Sequence, residues 1–431
     1  MASGGSQRRE RAPDAATGRD RMVISSRDTD QGRIPRRPRA PAALLACLLA
    51  CLLSLLPDDA ALPASLTLQT TNVPGLDPKK PIVSHVVRLT GAIEPRDSEQ
   101  LRAILTTLRS TTTRAAGLPL ATLELSSSGG DLLESIKIGY MLREFEVATL
   151  VRKGDVCLSA CALAFLGGTS ANVPPTPVAD RRIEIGGQVG FHTYTTDPSA
   201  VSGAARGDST ALVARAFGLA RAGAATLVRY AADMGVEIDF IADIMSRPPD
   251  HWHYVATVDD FLHVGACPVG TLPSAGLPER QAVNICNHAT GWSTPADPSR
   301  VRPMSTPDSR RHLLEHVHAN VASFKMSGPV AAQLAALIAS RDQRLVEAVY
   351  ADLRAAGIPL PDHFGRTFTI DGYASGALAL HCHVSISPAM PERYDLVLVA
   401  PAALLKAFRP PPAACPELFR YERQEVLNPR R

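Results

Sequence analysis

The feature that most constrains the fold is a strand, turn and helix unit that occurs twice in succession. An apolar run over 121–125 predicts a buried strand, and a helical pattern over 132–145 follows it after the turn Ser-Ser-Ser-Gly-Gly-Asp. The unit then repeats as a strand over 148–151 and an apolar helix over 160–166. Repeated units of this kind predict a parallel sheet with right-handed crossovers. We therefore expect an α/β fold.

Three residue types that carry chemistry lie at the ends of these elements. Gly129 and Gly130 end one strand and open a helix, which leaves free backbone N–H groups above the turn. Ser159 begins the next helix, and His192 ends a third strand over 188–191. Because ligands bind beyond the carboxyl ends of parallel strands, a nucleophile, a base and oxyanion donors are available at one edge of the sheet.

This order of motifs resembles a known family. Leu-Ser-Ser-Ser-Gly-Gly-Asp (125–131), Cys-Leu-Ser-Ala-Cys (157–161) and Val-Gly-Phe-His (189–192) are similar to the series in the Clp-protease branch of the Clp/crotonase superfamily. They resemble more closely the bacterial envelope proteins of the Clp-protease-like type. The resemblance covers roughly residues 84–266. It implies an α/β fold with a Clp/crotonase-like core of repeated ββα units, and the activity of a serine hydrolase, most often a peptidase.

The resemblance also implies a role for each site residue. Ser159 would be the nucleophile and His192 the base that takes its proton. The backbone N–H groups of Gly130 and Ala160 would form the oxyanion hole, and Gly129 would lie in the substrate-binding turn. Two features depart from the peptidase pattern, because cysteines replace the small residues that flank the serine and the loop after the histidine is longer.

A carboxylate that orients His192 is the least determined member of the site. The resemblance places it a few residues before the helix that begins at Thr257, which selects Asp250. Asp239 and Asp243 remain as alternatives, although their spacing of four residues on a predicted helix also fits a shared solvent-facing side.

Other interpretations of these residues stay open. Ser159 could serve as an ordinary helix cap, and His192 could be a structural histidine at a strand end. Cys161 is an alternative thiol nucleophile, although a disulfide with the other flanking cysteine, or burial of both thiols, is favoured. Lys153 or Lys137 could act as the base of a serine and lysine dyad.

Two histidine clusters suggest further roles. His381 and His383 share one face of a predicted strand while Cys382 faces the other way, so the three do not converge on a metal ion, and a structural strand is favoured. His251 and His253 lie beside Trp252 and could face the active cleft, although a place on the loop surface is favoured. No cofactor and no metal site is predicted.

Six cysteines follow the N-terminal leader, and an even number in an exported chain indicates disulfides. By proximity in the sequence we expect Cys267 to pair with Cys286, and Cys382 with Cys415. The remaining two cysteines flank Ser159.

The N-terminus predicts export. Residues 1–40 contain ten arginines and no lysine, and few apolar residues, so we expect disorder there. The apolar run of 15 residues that follows, 42–56, suits a secretory signal peptide better than a spanning helix, which needs about 20 residues. An uncleaved signal anchor stays open. We therefore expect the protein in the periplasm, or in the inner membrane facing the periplasm.

Changes in composition, and the proline and glycine residues that interrupt helices and strands, divide the chain into segments. They are a disordered Arg-rich N-terminus (1–40), a signal peptide or signal anchor (41–57), a linker (58–83), a Clp/crotonase-like domain (84–270), a linker (271–306), a small α+β module (307–409) and a C-terminal tail (410–431).

The net charge limits the classes of partner that we expect. A net charge of +3 is too small to indicate nucleic acid. We expect a peptide or protein substrate, contact with the inner membrane through residues 42–56, and, as the superfamily resemblance implies, a possible homo-oligomer. The alternative function is a catalytically inactive Clp-like binding or assembly module of the cell envelope, since one scaffold hosts many functions.

Overall fold

The computed structural model describes residues 63–73, 82–112, 117–171, 177–193, 209–290, 300–319, 327–340, 342–358, 360, 365–375, 378–388, 393–399 and 415–430. They belong to one compact unit of mixed α/β structure. The predicted leader, residues 1–57, lies outside this part of the chain. Within it, no helix combines the length and the apolar character that crossing a membrane requires.

The elements alternate along the chain. The strands are β1 (Ser65–Val73), β2 (Ile82–Thr90), β3 (Thr122–Ser126), β4 (Ala148–Val151), β5 (Val156–Leu158), β6 (Thr169–Ala171), β7 (Pro177–Ala179), β8 (Arg181–Glu184), β9 (Gln188–Phe191), β10 (His253–Tyr254), β11 (Ala266–Val269), β12 (Val301–Met304), β13 (Arg366–Ser375), β14 (Leu378–Ile386) and β15 (Tyr394–Val399). The helices are α1 (Asp97–Thr111), α2 (Leu132–Phe145), α3 (Ala160–Phe165), α4 (Ser209–Met234), α5 (Ile238–Ser246), α6 (Val258–His263), α7 (Pro278–Ala289), α8 (Thr306–Ala319), α9 (Gly328–Ser340) and α10 (Gln343–Ala355).

The largest sheet has the strand order β1-β2-β3-β4-β8-β11. Its strands from β2 to β11 run parallel, and β1 is antiparallel to β2. Apolar residues of these strands, such as Leu89, Leu123 and Ile183, are fully buried in the main core, as is typical of a parallel sheet. The predicted parallel α/β arrangement is confirmed, and α2 and β4 have the predicted bounds.

A small sheet of order β10-β9-β5 stands beside the large one and positions the candidate site. Strands β5 and β9 are parallel, with Leu158 opposite Gly190. Gly190 lets the two strands and Tyr254 pack closely here, since a Cβ there would lie 2.8 Å from the Leu158 side chain and 3.0 Å from the ring of Tyr254. The next residue after β5 is Ser159, and the next after β9 is His192. Parallel pairing therefore brings the two carboxyl ends together.

The C-terminal part contains the antiparallel sheet β12-β13-β14-β15 with helices packed on it, which confirms the predicted α+β character. The predicted linker 271–306 is wrong, since it includes helix α7 and strand β12. Proline at the start of α7 was interpreted as a loop signal, but proline suits the first turn of a helix. Ala282, Ile285 and Cys286 of this helix are fully buried against the sheet.

The predicted linker 58–83 is also wrong, because it contains β1. This strand pairs with β2 along its whole length, from Ser65 opposite Thr90 to Val73 opposite Ile82. Its threonines were interpreted as a linker composition, but β-branched residues favour strands. As an edge strand it keeps polar side chains on its solvent side, which explains why no continuous apolar run marks it.

The C-terminal tail is a packed segment over the described residues 415–430. Its backbone pairs with the start of α6, where the N–H of Val258 donates to Glu425 O (3.0 Å) and that of Leu427 donates to Ala256 O (2.9 Å). Tyr421 is buried in the main core together with Leu427. Residues 415–430 are therefore part of the folded domain, although the sequence before them is rich in proline.

The six cysteines form the disulfides Cys157–Cys161, Cys267–Cys415 and Cys286–Cys382. Disulfide bonding is as predicted, but both long-range pairings predicted from sequence proximity are wrong. Packing decides the partners: helix α7 lies on β14, which brings its cysteine to that strand, and the 415–430 segment returns to β11.

Removing the Cys286–Cys382 disulfide should destabilise the protein. The two cysteines are 96 residues apart, so the bond restricts a long loop of the unfolded chain. We expect the Cys286→Ala/Cys382→Ala variant to lose about 3 to 5 kcal/mol in its free energy of unfolding. Denaturant unfolding without reductant measures this loss. Peptide mapping that found a bridge between Cys267 and Cys286 would contradict the assignment.

Candidate active site

Ser159 lies on a sharp turn between β5 and α3. Its backbone has φ 56° and ψ −122°, a conformation that residues with a side chain rarely adopt. Such a backbone costs about 1 to 3 kcal/mol and occurs where the surrounding structure imposes it, most often at functional sites. The Ser159 side chain makes no capping hydrogen bond to the helix. The ordinary helix-cap interpretation is therefore wrong for this serine.

The hydroxyl of Ser159 contacts His192. Ser159 Oγ lies 2.7 Å from His192 Nε2, although the two residues are 33 positions apart in the sequence. The Ser159 N–H donates to Gly190 O (2.9 Å), which fixes the turn to the strand that carries the histidine. With Nδ1 protonated, Nε2 can accept the hydroxyl proton. The structure thus brings the predicted nucleophile and base together.

The other nitrogen of His192 faces a backbone carbonyl. His192 Nδ1 lies 3.2 Å from Pro249 O, which can accept a hydrogen bond from the protonated Nδ1. Pro249 and Asp250 form the tip of a tight turn that is closed by a hydrogen bond from His251 N–H to Pro248 O (2.9 Å). In this turn the carbonyl of Pro249 is directed at the histidine.

Asp250 does not orient His192, contrary to the sequence prediction. Its side chain is 87% exposed, and its carboxylate lies 3.5 Å from His251 Nδ1. The alternatives are also directed elsewhere: Asp243 pairs with Arg247, and Asp239 is exposed on helix α5. The prediction failed because a residue at the tip of a turn projects into solvent, whereas position along the chain alone suggested proximity.

A tryptophan takes the position beside the histidine. The rings of Trp252 and His192 have their centroids 4.2 Å apart and are inclined by 32°. Trp252 in turn neighbours Tyr254, whose ring lies 4.3 Å below the guanidinium of Arg430. This contact of Trp252 was not predicted from the sequence. Its one signal was its place between two histidines in the loop that follows Pro248 and Pro249.

His253 faces away from the hydroxyl and supports the loop. Its Nε2 lies 2.8 Å from Asp260 Oδ1, and the Asp260 carboxylate also accepts from the N–H groups of Ala256 and Thr257 and from the Thr257 hydroxyl. These contacts fix the start of α6 as a capping box. Because His253 and Asp260 are largely buried, the predicted loop-surface role applies only to His251, which is 67% exposed.

The glycine turn (127–131) packs against the turn that carries Ser159. Gly129 O accepts from the Ile93 N–H (2.7 Å), and the Asp131 N–H donates to Ile93 O (2.9 Å). The Gly130 N–H lies between these two groups and is used by neither contact. A Cβ on Gly129 would lie only 2.8 Å from Ser159 Cβ, so the absence of a side chain allows this close approach.

Gly130 and Ala160 both line the cavity that Ser159 opens into. Ala160 is the first residue of α3, where a backbone N–H has no acceptor within its own helix. Gly130 has φ 137°, and a Cβ there would meet Ile93 O at 2.1 Å, so the turn accepts only glycine. Both predicted oxyanion donors thus stand at the serine.

The cavity beside the serine has a volume of about 170 Å³. Its far wall is apolar and consists of Leu132, Leu163, Leu227, Ile241, Ile244 and Met245. Sites for drug-sized ligands occupy roughly 300 to 1,000 Å³. The cavity is therefore suited to one apolar side chain or a short acyl group.

The remaining alternatives are accounted for by other contacts. Cys161 is bonded to Cys157, so it is not a thiol nucleophile. Lys137 pairs with Glu134 at 2.9 Å, and Lys153 lies in an exposed turn.

The predicted strand interpretation of the cluster at 381–383 is confirmed, since these residues lie on β14. Cys382 is bonded to Cys286, and His383 Nδ1 lies 3.1 Å from the Thr369 hydroxyl on the neighbouring strand. Within the described part of the chain, no group of histidines, cysteines and carboxylates could hold a metal ion.

Comparison with protein-family models gives no match for this chain, and comparison with curated proteins gives none either. The roles of Ser159 and His192 are therefore argued from their geometry.

Replacing the predicted acid should have little effect, whereas replacing the tryptophan should slow the chemistry. Asp250→Asn should leave the rate at which Ser159 reacts with a fluorophosphonate within about two-fold of wild type, because exposed charges contribute little. Trp252→Ala should lower that rate by about 5- to 10-fold, because the histidine loses an attraction for its protonated form. A loss of about 10⁴-fold in Asp250→Asn, the value for a triad aspartate, would contradict the geometry.

The Asp260 network should make stability depend on pH in the acid range. Burial alone would raise the pKa of Asp260, but hydrogen bonds from His253, Thr257 and the Ala256 N–H outweigh it and lower the pKa to about 2. Because the folded-state pKa lies below the unfolded value, the carboxylate contributes about 2 kcal/mol of stability above about pH 4 and loses it as the pH falls towards 2.

Unfolding of wild type and Asp260→Asn at pH 7 and near pH 2 measures this contribution. We expect the difference in their free energies of unfolding to be largest at pH 7 and to shrink in acid. An equal difference at both values would show that the carboxylate charge is not involved.

Proposed function

We propose that this protein is an exported serine hydrolase of the Clp/crotonase-like class, in which Ser159 is the nucleophile and His192 the general base. The observation that carries the proposal is the 2.7 Å contact between Ser159 Oγ and His192 Nε2, on a serine whose backbone is held in a rare conformation. Nucleophile and base within hydrogen-bond distance, with the base oriented by a third group, define the arrangement that activates a hydroxyl.

The proposed reaction proceeds in two halves. His192 Nε2 takes the hydroxyl proton as Ser159 Oγ attacks the carbonyl carbon, and the resulting oxyanion accepts from the N–H groups of Gly130 and Ala160. His192 then donates the proton to the leaving group, which departs and leaves an acyl group on the serine. In the second half His192 takes a proton from water and the hydroxide attacks the acyl carbon. His192 then returns the proton to Ser159 Oγ as the acyl–oxygen bond breaks and the acid product leaves.

A carbonyl oxygen and an aromatic face take the place of the triad carboxylate. Pro249 O accepts a hydrogen bond from His192 Nδ1–H and so selects the tautomer whose Nε2 can act as a base. The ring of Trp252 lies against the same imidazole and attracts it when it carries a positive charge. A carbonyl dipole stabilises that charge less than a full carboxylate does, so we expect slower turnover than in hydrolases with an aspartate.

The apolar cavity supports a peptide or protein substrate with an uncharged, apolar group next to the scissile bond. Its lining residues Leu163, Ile241 and Met245 would leave a charged side chain without a partner. The three disulfides support an oxidising compartment, in keeping with the predicted signal segment at 42–56. The periplasm, or the inner membrane facing it, is the location we propose.

Labelling by a fluorophosphonate tests the proposal. Wild type should react with the probe at a single site, and peptide sequencing should locate that site at Ser159. Ser159→Ala should not react, because the nucleophile is missing, and His192→Ala should react at least about 100-fold more slowly. Ser128→Ala is the matched control, since Ser128 is exposed on the glycine turn and should leave labelling unchanged.

Two peptide phosphonates extend the test to the cavity. We expect a probe with leucine next to the phosphorus to react faster than one with aspartate there, because the apolar wall offers no partner for a charge. Equal rates would contradict the substrate class. Complete lack of labelling in wild type would instead favour a catalytically inactive binding or assembly module.

A further inference from the structure

The Cys157–Cys161 disulfide closes around the serine. Cys157 is the middle residue of β5, Cys161 is the second residue of α3, and Ser159 lies midway between them. The Cα atoms of the two cysteines are 5.1 Å apart. Both side chains are fully buried in the main core. The bond therefore ties the end of the strand to the start of the helix across the turn that carries the nucleophile.

The strand side of this turn is anchored by hydrogen bonds. The N–H of Leu158 donates to Ser127 O (3.0 Å), and the N–H of Ser159 donates to Gly190 O (2.9 Å). The disulfide links the first turn of α3 to this anchored strand. Four residues in extended conformation span about 13 Å, so a ring closed at 5.1 Å excludes extended conformations of the turn.

The backbone of Ser159 gives this restriction its importance. A residue with a side chain disfavours the observed conformation, so an unrestricted turn would relax towards an ordinary one. Relaxation would move the hydroxyl away from His192 Nε2 and the Ala160 N–H away from the position of the oxyanion.

We propose that the Cys157–Cys161 disulfide is a positioning group for the nucleophile, and that rapid acylation of Ser159 requires this bond. The inference rests on the proposed hydrolase function. The three disulfides then divide their roles according to the length of chain they close. The bonds that span 96 and 148 residues restrict the unfolded chain strongly, whereas the bond that spans four residues restricts it little and acts on the local turn.

Two double variants separate these roles. Because Cys157 and Cys161 are fully buried, mild reductants would not reach the bond, and substitution is the direct way to remove it. Cys157→Ala/Cys161→Ala should lower the maximal rate of fluorophosphonate inactivation by about 10- to 100-fold. Without the bond, the cost of the rare backbone conformation would reduce the fraction of molecules that hold Ser159 in it by about that factor. The probe concentration that gives half the maximal rate should not change, because the cavity wall is intact.

The matched control is Cys286→Ala/Cys382→Ala. It should show the opposite result. Its folded molecules should be inactivated by the fluorophosphonate at the wild-type rate, and its melting temperature should fall more, because its bond lies in the core of the C-terminal sheet. If Cys157→Ala/Cys161→Ala inactivates as fast as wild type, the positioning role is wrong while the hydrolase stands. Failure of this variant to fold, or a loss in melting temperature as large as that of the control, would also overturn a local role.

Amide hydrogen exchange tests whether the disulfide restricts the turn that carries Ser159, and it does so even if wild type does not react with the probe. Lack of reaction would reject the hydrolase function but would not bear on this restriction. We expect faster exchange at residues 158–162 of Cys157→Ala/Cys161→Ala and unchanged exchange in the large sheet. Unchanged exchange at 158–162 would overturn the inference.

Discussion

The parallel pairing of β5 with β9 is the interaction on which the candidate active site depends. It places Ser159 and His192, which are 33 residues apart in the sequence, at adjoining carboxyl ends of two neighbouring strands. The other parts of the site attach to this pair. The glycine turn is joined to β5 by the bridge between Ser127 and Cys157, and the loop that carries Trp252 is joined to β9 through β10. Loss of this one pairing would disperse every group of the site.

The serine turn shows how a rare backbone conformation is maintained. Hydrogen bonds to the neighbouring strands hold Ser159 on one side, and a disulfide that closes a short ring ties the helix on the other. Gly129 contributes by having no side chain, since a Cβ there would collide with that of Ser159. A serine in a rare backbone conformation thus requires neighbours that remove the alternative conformations, and in this chain those neighbours are two strands, a glycine turn and a covalent bond.

Local sequence patterns predicted many of the helices and strands. The features that they did not predict depend on packing between segments that are distant in the sequence. The helix over 132–145 and the strand over 188–191 were predicted with the observed bounds, since periodicity and turn residues act within a few positions. Asp250 and the disulfide partners were wrong because each depends on which distant segments meet. Strand β1 was missed because an edge strand of threonines lacks the apolar run that marks a buried one. Trp252 was missed because its role comes from a ring contact that no spacing reveals.

The claim that Ser159 acts as a nucleophile activated by His192 is tested most directly by trapping its acyl group. An activated ester mixed rapidly with the protein should release its leaving group in a burst of one equivalent per chain, because we expect the acyl group to form on the serine faster than water removes it. Mass analysis of the quenched protein should find one acyl group, located on Ser159. A burst without an acyl group on this serine, or an acyl group on another residue, would contradict the assignment.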